Sequence, residues 1–226
     1  MRYKCLILDH DDTVMNSTAT VHYPAFLAFM KTHRPELKMS LEEYFRYNFE
    51  PGVVPLFRDI CGLSAEEMKE EEQFWRSYVD DHIPRSYDGM ADLLHEYKKK
   101  GGLICVISHS FSDYILRDYA HNHLPEPSLV YGWEVDAKLR KPSPWAVFEI
   151  EKKLGLSREE ILILDDLKPG YDMAKAAQVD FAAAGWANEV KEIEDFMRTN
   201  SRYYFKTVAA FADFILTDQI SRETER

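Results

Sequence analysis

Carboxylates, a serine and a lysine stand beside short apolar runs or turns at four places in the sequence. The acidic run DHDDT begins at Asp9, and the pair Asp165 and Asp166 ends another apolar run. Ser108 follows a third run, and Lys141 precedes the turn sequence Pro-Ser-Pro. Carboxylates that converge without a cation repel by roughly 4 kcal/mol per pair at about 4 Å and an effective dielectric constant of about 20. Such a set favours a hard cation, and few carboxylates with room for phosphate oxygens and water favour Mg²⁺ over Ca²⁺.

Each of these residues taken alone has an ordinary structural explanation. An aspartate run after a strand is commonly an Asx turn, and Ser108 alone is typical of a turn or a helix cap. Lys141 alone is typical of a solvated surface charge. Their joint placement at the ends of apolar runs favours chemistry instead, since one carboxylate can attack phosphorus while the cation and Lys141 screen the transferring oxygens.

Short apolar runs alternate with amphipathic segments along most of the chain. Runs rich in Ile, Leu and Val predict buried strands at residues 5–8, 103–107, 161–164 and 181–184, with a weaker candidate at 128–131. Amphipathic patterns between them predict helices at residues 89–100, 112–123, 144–154 and 169–177. This alternation predicts an α/β fold with a parallel sheet, in which ligands gather at the carboxyl ends of the strands.

The stretch from residue 16 to about residue 85 interrupts this alternation with helical signals and no convincing strand. Ser40 with Glu43 and Ser64 with Glu67 form capping-box patterns, each of which opens an amphipathic segment. The sequence also indicates helices over 21–33 and 53–60. We therefore predict a core domain of residues 1–15 and 86–226, and an all-helical cap domain of residues 16–85 inserted after the first strand.

The order of these motifs resembles the haloacid dehalogenase superfamily of phosphohydrolases, in the branch with a helical cap after the first motif. The family's Asp-x-Asp-Gly-Thr motif is matched by DHDDT at residues 9–13. The second motif is matched by the apolar run that ends at Ser108, the third by KPSP at residues 141–144, and the fourth by the acidic pair at residues 165–166. The resemblance covers nearly the whole chain. It implies a Rossmann-like parallel sheet flanked by helices, with a small all-helical cap.

The resemblance also implies a role for each matched residue. Asp9 would be the nucleophile that forms an aspartyl-phosphate, and Asp11 the general acid and base that protonates the leaving oxygen and later activates water. Ser108 and Lys141 would hold the phosphoryl oxygens, with Lys141 also orienting Asp9. The implied ligands of Mg²⁺ are Asp9, the backbone carbonyl of Asp11, Asp165 and Asp166.

Two positions depart from the commonest family pattern. Asp12 stands in place of glycine, and we interpret it as a turn residue. Gly170 stands four residues after Asp166, where the family pattern has a further aspartate, and Asp172 is displaced by two residues. We interpret the site as the acidic-pair subtype and Asp172 as a helix-face residue.

Asp11 also narrows the chemistry, because the dehalogenases of the superfamily lack this second acid and have no leaving alkoxide to protonate. The resemblance therefore implies an enzyme, a magnesium-dependent phosphatase of a small phosphorylated metabolite, with phosphoglycolate or a sugar phosphate as the implied substrate type. The nearest alternative is a β-phosphoglucomutase-like phosphotransferase, and a non-catalytic phospho-ligand-binding protein is less favoured. A signalling receiver domain has its Lys-Pro after the last strand, whereas Lys141 precedes the acidic pair.

Residues outside the motifs are candidates for substrate binding. Residues 46–58 of the predicted cap contain a Pro-Gly turn between Arg46 and Arg58. Either arginine could contact an anionic substrate, although a position on the solvated surface is the simpler role for both. His109, next to Ser108, is a further candidate. His10 lies between the two catalytic aspartates, and both contact with substrate and filling of the turn stay open.

The composition limits the partners. The 226 residues carry a net charge of −11, which argues against nucleic acid as a partner, because phosphate backbones are bound by clustered Lys and Arg.

No apolar stretch reaches the roughly 18 residues needed to cross a bilayer, and no signal-peptide pattern opens the chain. Three widely spaced cysteines indicate a reducing compartment. We expect a cytoplasmic protein without membrane partners, and the aromatic content of the cap is typical of a helix-bundle core, which favours a monomer.

Overall fold

The computed structural model describes residues 3–217, whose core is built on one parallel sheet. The strands in chain order are β1 (Cys5–Leu8), β2 (Met15–Asn16), β3 (Arg85–Ser86), β4 (Leu103–Ile107), β5 (Leu129–Tyr131), β6 (Ile161–Asp165), β7 (Asp180–Ala184) and β8 (Tyr203–Phe205). Six of these strands form the sheet in the order β5-β4-β1-β6-β7-β8, and every neighbouring pair is parallel. β1 lies near the middle, with Cys5 paired to Leu103 on one side and to Ile161 on the other.

Helices cover the sheet and build the segment inserted after β2. In chain order they are α1 (Tyr23–His33), α2 (Leu41–Phe49), α3 (Val53–Pro55), α4 (Ala65–Asp81), α5 (Met90–Lys99), α6 (Ser112–His121), α7 (Trp145–Leu154), α8 (Lys168–Ala177), α9 (Lys191–Asn200) and α10 (Val208–Leu216). The predicted α/β class is confirmed, and the predicted core strands and helices agree with the observed ones within two residues. The sequence analysis does not predict α9, β8 and α10. β8 has only three residues, all half-buried, so it lacks a continuous apolar run.

The two-residue period of β1 divides the core between the two faces of the sheet. Leu6 and Leu8 contribute to one apolar cluster, and Cys5 and Ile7 to the other, since successive side chains of a strand point to opposite faces. All four are fully buried. Burying a leucine or isoleucine side chain stabilises the fold by about 1.5–3 kcal/mol, so β1 is a rigid support for the residues that follow it.

Helices α1–α4, which we call the cap segment, have an apolar cluster of their own. Its buried members are Phe26, Phe29, Met30, Met39, Tyr44, Leu56, Phe57, Cys61 and Leu63. Both predicted capping boxes are present, since the side chains of Ser40 and Ser64 accept hydrogen bonds from the backbone of the glutamates three residues later. The division into a core (1–15 and 86–226) and a cap (16–85) stays a prediction. The antiparallel pair β2–β3, in which Met15 faces Ser86, lies at that boundary.

The described helices also bear on the expected absence of a membrane span. None of the helices within residues 3–217 has the length and apolar character required to cross a bilayer.

Candidate active site

The carboxyl ends of β1, β4 and β6 meet beneath the cap segment and line a cavity of about 200 Å³. β1 leads into Asp9, β4 into Ser108, and β6 ends at Asp165 with Asp166 directly after it. Because these strands are neighbours in a parallel sheet, their carboxyl ends share one edge. Lys141, in the loop before α7, also lines the cavity. The fold thus brings the residues of all four motifs to one place.

A buried lysine lies between two of these carboxylates. Nζ of Lys141 is 2.9 Å from Oδ1 of Asp9 and 2.8 Å from Oδ2 of Asp165. Burial lowers the pKa of Lys141, but the two carboxylates outweigh it and raise the pKa above its ordinary value. Oδ1 of Asp9 also accepts a hydrogen bond from the backbone N–H of His10 at 2.7 Å. One oxygen of Asp9 is therefore held by two donors, and within residues 3–217 no hydrogen bond reaches the other.

Asp9, Asp165 and Asp166 form a candidate metal site, because a carboxylate oxygen of each lies within 4.8 Å of the others. One oxygen of Asp166 accepts a hydrogen bond from Oγ1 of Thr13 at 3.2 Å, whereas Oδ2 is buried without a partner among the described residues. Burial, followed by the charges of Asp12 and Asp165, raises the pKa of Asp166 well above its ordinary value. The three carboxylates offer only oxygen ligands, they repel one another, and one oxygen of Asp166 accepts no hydrogen bond from the described residues. These properties fit Mg²⁺.

Asp165 has both of its oxygens engaged by the protein. Oδ2 accepts from Lys141, and Oδ1 accepts from the backbone N–H of Leu167 at 2.9 Å. Gly170 on α8 packs so closely on this carboxyl group that an added Cβ would lie 2.1 Å from Cγ of Asp165. Glycine at this position therefore makes room for the carboxylate. The arrangement favours Asp166 over Asp165 as a direct metal ligand.

Asp11 receives donors on both of its carboxylate oxygens. Oδ1 accepts from Oγ of Ser17 at 2.8 Å and lies 2.7 Å from Nε2 of His22. Oδ2 accepts from Oγ of Ser110 at 2.6 Å and lies 3.5 Å from Oγ of Ser108. Burial raises the pKa of Asp11, but His22 and Ser110 outweigh it, and the net pKa is below its ordinary value. Asp11 is therefore ionised in this arrangement.

His22 connects Asp11 to the cap segment. Its ring stacks on Trp75 of α4 with the centroids 5.7 Å apart, and its Nδ1 accepts a hydrogen bond from the indole N–H at 3.1 Å. Burial lowers the pKa of His22, and the charge of Asp11 raises it to a net value above the ordinary one. The indole can only donate, so it opposes protonation of Nδ1. The neutral ring with its proton on Nε2 satisfies both neighbours.

Asp12 occupies a left-handed turn directly after Asp11. Its φ is 55°, a conformation that aspartate tolerates better than most residues with a side chain. Its carboxylate accepts a hydrogen bond from the backbone N–H of Thr18 at 3.0 Å. Burial raises the pKa of Asp12 to about 7. Asp12 is thus a turn residue that also ties the loop after β1 to the first residue of the π-helical turn leading into α1.

A family model places the chain among known proteins. The model for haloacid dehalogenase-like hydrolases matches residues 6–184, which include all four motifs. The chain belongs to this family. Among curated proteins, no sequence matches that of this haloacid dehalogenase-like hydrolase.

Solved structures share the fold of this haloacid dehalogenase-like hydrolase. A haloacid dehalogenase-like hydrolase from Bacteroides fragilis has a TM-score of 0.77 at 20% identity, covering 92% of this chain and 99% of that one. A protein described as a phosphoglycolate phosphatase from Haemophilus somnus 129PT has a TM-score of 0.71 at 19% identity, covering 95% and 97%. CbbY from Rhodobacter sphaeroides in complex with phosphate has a TM-score of 0.68 at 16% identity, covering 91% and 94%. At these identities the likeness shows the fold alone, and the Rossmann-like prediction is confirmed.

The histidines flanking the motif residues of the hydrolase have different surroundings. His109 lines the cavity next to Ser108, and its Nε2 donates to the carbonyl of Lys141 at 3.2 Å. Burial and the charge of Lys141 lower the pKa of His109 to about 4, so the ring is neutral near pH 7. His10 is 1% exposed, and its Nε2 lies 3.1 Å from Oδ2 of Asp118 on α6. Contact with substrate and filling of the turn were both open for His10. The structure places His10 in the core and not on the cavity wall.

Arg46 and Arg58 lie outside the cavity. Arg46 pairs with Glu42 on its own helix and lies 3.3 Å from Glu192 of α9. Arg58 is exposed and binds its neighbour Asp59 at 2.7 Å. Both guanidinium groups are thus paired with surface carboxylates, and the substrate site proposed below does not include them.

Four residues that contact Asp11 or its partner His22 have no place in the motifs, namely Ser17, Ser110, His22 and Trp75. Ser110 lies two residues after Ser108 at the end of the same strand, and this spacing could have marked it. His22 and Trp75 are 53 residues apart, and no sequence pattern joins them. Their contact exists only because α4 packs over the carboxyl edge of the sheet.

Proposed function

We propose that this hydrolase is a magnesium-dependent phosphatase that cleaves a small phosphorylated metabolite through an aspartyl-phosphate on Asp9. The observation that carries the proposal is the position of Lys141 between Asp9 and Asp165 inside the cavity. A fixed cation there lets a carboxylate approach a phosphoryl group of the same charge. The substrate phosphate would then lie against Lys141 and the hydroxyl of Ser108.

Asp9 is the proposed nucleophile. Lys141 and the backbone N–H of His10 hold its Oδ1 and fix the orientation of the carboxyl group. The attacking oxygen forms a bond to phosphorus while the bond from phosphorus to the leaving alkoxide breaks. Positioning of this kind accounts for a large part of catalysis in phosphoryl transfer.

Asp11 is the proposed general acid and base. In its protonated form it would give its proton to the leaving oxygen when the ester bond breaks. The resulting carboxylate, which His22 and Ser110 stabilise, would then take a proton from the water that attacks the aspartyl-phosphate. Hydrolysis releases phosphate and restores Asp9 as a carboxylate.

The proposed magnesium ligands are Asp9, Asp166 and the backbone carbonyl of Asp11, with Asp165 acting through Lys141. When bound, Mg²⁺ supplies positive charge to the phosphoryl oxygens in the transition state. The unpaired Oδ2 of Asp166 is the feature that supports this assignment most directly. Asp165 contributes by orienting Lys141, since both of its oxygens are engaged.

We place this reaction in the cytoplasm. The three cysteines, Cys5, Cys61 and Cys105, are buried and unpaired. A reducing compartment keeps thiols in that state, whereas oxidising compartments favour disulfides. The proposed partner is a small phosphorylated metabolite.

The test measures phosphate release from a panel of phosphate esters that includes p-nitrophenyl phosphate, with Mg²⁺ or EDTA. It compares the wild type with Asp9→Asn and with Asp172→Asn, whose carboxylate binds Lys168 at 3.1 Å on the face of α8. We expect magnesium-dependent turnover that Asp9→Asn abolishes and Asp172→Asn retains.

Turnover that persists in Asp9→Asn would exclude Asp9 as the nucleophile. Formation of a sugar bisphosphate from a sugar monophosphate, without phosphate release, would favour the phosphotransferase alternative.

A further inference from the structure

The wall of the cavity opposite the catalytic aspartates comes from the cap segment and has an unusual charge. Its aromatic and acidic members include Tyr44, Phe57, Glu71, Glu72 and Trp75, and His22 lines the cavity from the turn before α1. This wall contains no lysine or arginine within the part of the chain that the structure describes. Lys141, the lysine that does line the cavity, lies at the catalytic edge between Asp9 and Asp165. The leaving alcohol of a substrate would therefore meet an aromatic and acidic surface.

One face of α4 supplies the acidic part of this wall. Met68, Glu71, Glu72 and Trp75 have the spacing i, i+3, i+4 and i+7, which places them on one stripe of a helix. An amphipathic helix usually presents apolar side chains to its packing partner. Two carboxylates within the stripe that faces a cavity depart from that pattern.

Glu71 is distinguished from its neighbours on α4 by the lack of a partner. Glu67 binds Arg34 through both oxygens at 2.8 and 2.9 Å, and Glu70 lies 3.4 Å from His33. Glu71 is half-buried, and among residues 3–217 no hydrogen bond or ion pair reaches its carboxylate. Burial, followed by the charge of Glu72, raises the pKa of Glu71 to about 7. A carboxylate in this position gains free energy when a ligand brings a cation to it.

Glu72 has a different environment. It is exposed, and the charge of Arg140 acts on it from the loop before Lys141. The guanidinium of Arg140 lies 3.8 Å from the centre of the Trp133 ring, and its Nε donates to the carbonyl of Val135 at 2.7 Å. Arg140 is thus engaged elsewhere, and it does not line the cavity. Glu71 is the carboxylate of the cap wall that no lysine or arginine of the described residues contacts, and the charge of His22 lowers its pKa less than burial and Glu72 raise it.

We propose that the alcohol portion of the substrate carries a positive charge, as in a phosphate monoester of an amino alcohol, and that Glu71 binds its ammonium group. This inference rests on the proposed phosphatase function and names its substrate class. Trp75, Phe57 and Tyr44 line the same wall. Aromatic rings attract ammonium groups through their negative faces, so they support the same class of ligand.

The wall disfavours an anionic alcohol portion for the same reason. The carboxylate of phosphoglycolate, or the second phosphate of a bisphosphate, would face Glu71 and Glu72 with no lysine or arginine of the wall to pair with it. Like charges brought together in a partly desolvated cavity repel each other. The proposed preference therefore separates this chain from an enzyme for phosphoglycolate.

The test uses three phosphate esters of two-carbon alcohols that differ in the charge at the far end of the alcohol. Phosphoethanolamine carries an ammonium group, ethyl phosphate is neutral at this end, and phosphoglycolate carries a carboxylate. We expect kcat/KM to fall in that order, by about tenfold at each step. Phosphocholine, with a quaternary ammonium, should also be a better substrate than ethyl phosphate.

Two substitutions at position 71 test the residue itself. Glu71→Gln keeps the shape and removes the charge, and it should lower the ratio of kcat/KM for phosphoethanolamine over ethyl phosphate by about tenfold. Glu71→Lys should reverse the order in favour of phosphoglycolate. The matched control is Glu66→Gln, an exposed glutamate of α4 that does not line the cavity and should leave the ratio unchanged.

The outcomes separate this inference from the proposed function. Phosphoglycolate as the best of the three esters, or the same ratio in wild type and both position-71 variants, would overturn the inference while the phosphatase assignment stands. Turnover of p-nitrophenyl phosphate without turnover of phosphoethanolamine would do the same. No turnover of any ester would overturn the proposed function, and the inference with it.

Discussion

The indole N–H of Trp75 donates a hydrogen bond to Nδ1 of His22, although the two residues are 53 positions apart. Nε2 of the same imidazole lies 2.7 Å from Oδ1 of Asp11. Because the indole has no acceptor, its contact selects the tautomer in which Nε2 carries the proton and donates to Asp11. A residue of the cap segment thus sets the hydrogen-bonding state of the proposed acid and base. The position of α4 and the chemistry of Asp11 are linked through one ring.

Trp75→Phe should raise the pKa of His22. The substitution removes the donor at Nδ1 and keeps an aromatic ring, so protonation of Nδ1 no longer displaces a hydrogen bond, while the charge of Asp11 still favours the imidazolium. The measurement is a pH titration of the histidine ring nitrogens by ¹⁵N NMR, with His22→Gln to assign the signal. An unchanged or lower pKa of His22 would show that the indole contact does not control the tautomer.

Lys141→Met should reduce the free energy of unfolding at neutral pH by about 3 kcal/mol, because it leaves Asp9 and Asp165 buried without their cation. Burial and Asp9 already raise the pKa of Asp165 to about 6, and without Lys141 it rises further. An acid with a raised pKa in the folded state binds more protons there than in the unfolded state, so stability falls as pH rises. The deficit should therefore shrink on going from about pH 8 to about pH 6.

Urea unfolding across this pH range is the measurement for Lys141→Met, with Lys138→Met as the control. Lys138 lies in the same loop and is exposed, so its loss should cost little at any pH. A deficit that grows on acidification would contradict the account of Lys141 as the cation of these two carboxylates.

Mg²⁺ should raise the melting temperature of the wild type, since a ligand that binds only the folded state stabilises it. Asp166→Asn should lose most of this shift. Without Mg²⁺ the same variant should melt at or above the wild-type temperature, because it removes a buried carboxyl group whose Oδ2 has no partner among the described residues. Thermal unfolding with Mg²⁺ or EDTA measures both effects, and a full shift retained in Asp166→Asn would remove Asp166 from the ligand set. The control variant Asp172→Asn, on the helix that follows Asp166, should keep the rise in melting temperature that Mg²⁺ causes.

Gly170→Ala should lower kcat and destabilise the protein by about 1–3 kcal/mol, even though alanine is the better helix former by about 1 kcal/mol. An added Cβ would lie 2.1 Å from Cγ and Oδ2 of Asp165 and would displace the carboxylate that holds Lys141. A double-mutant cycle with Asp165→Gly checks this cause, since it removes the carboxylate together with the Cβ that would lie 2.5 Å from the added Cβ, and should relieve most of the cost. Independent, additive effects would mean that Gly170 matters for another reason.

The strand framework could be predicted from the sequence because it depends on local patterns. Continuous apolar runs such as residues 161–164 have few alternatives to a buried strand, and the polar residue after each run must lie at the sheet edge. The sequence alone therefore predicts that Asp9, Ser108 and Asp165 are neighbours. The capping boxes at Ser40 and Ser64 were equally local, since both partners lie within four residues.

The rest of the site could not be predicted, since it depends on contacts between distant parts of the chain. The cap segment carries Arg46 and Arg58, which look suitable for an anionic substrate in the sequence, yet both pair with carboxylates outside the cavity. Glu71, in contrast, lies in an acidic run where a solvated face is the simplest interpretation, and it lines the cavity.

The sequence by itself determined the class of fold, the edge of the sheet that carries the chemistry and the types of residue gathered there, because strand formation and strand-end placement follow from patterns a few residues long. Only the tertiary structure decided which oxygen of Asp166 is unpaired, which tautomer of His22 faces Asp11, and which face of α4 covers the cavity. Those properties depend on packing between segments 50 or more residues apart. No short-range pattern encodes the angle at which α4 meets the sheet, and that angle sets the charge of the cap wall.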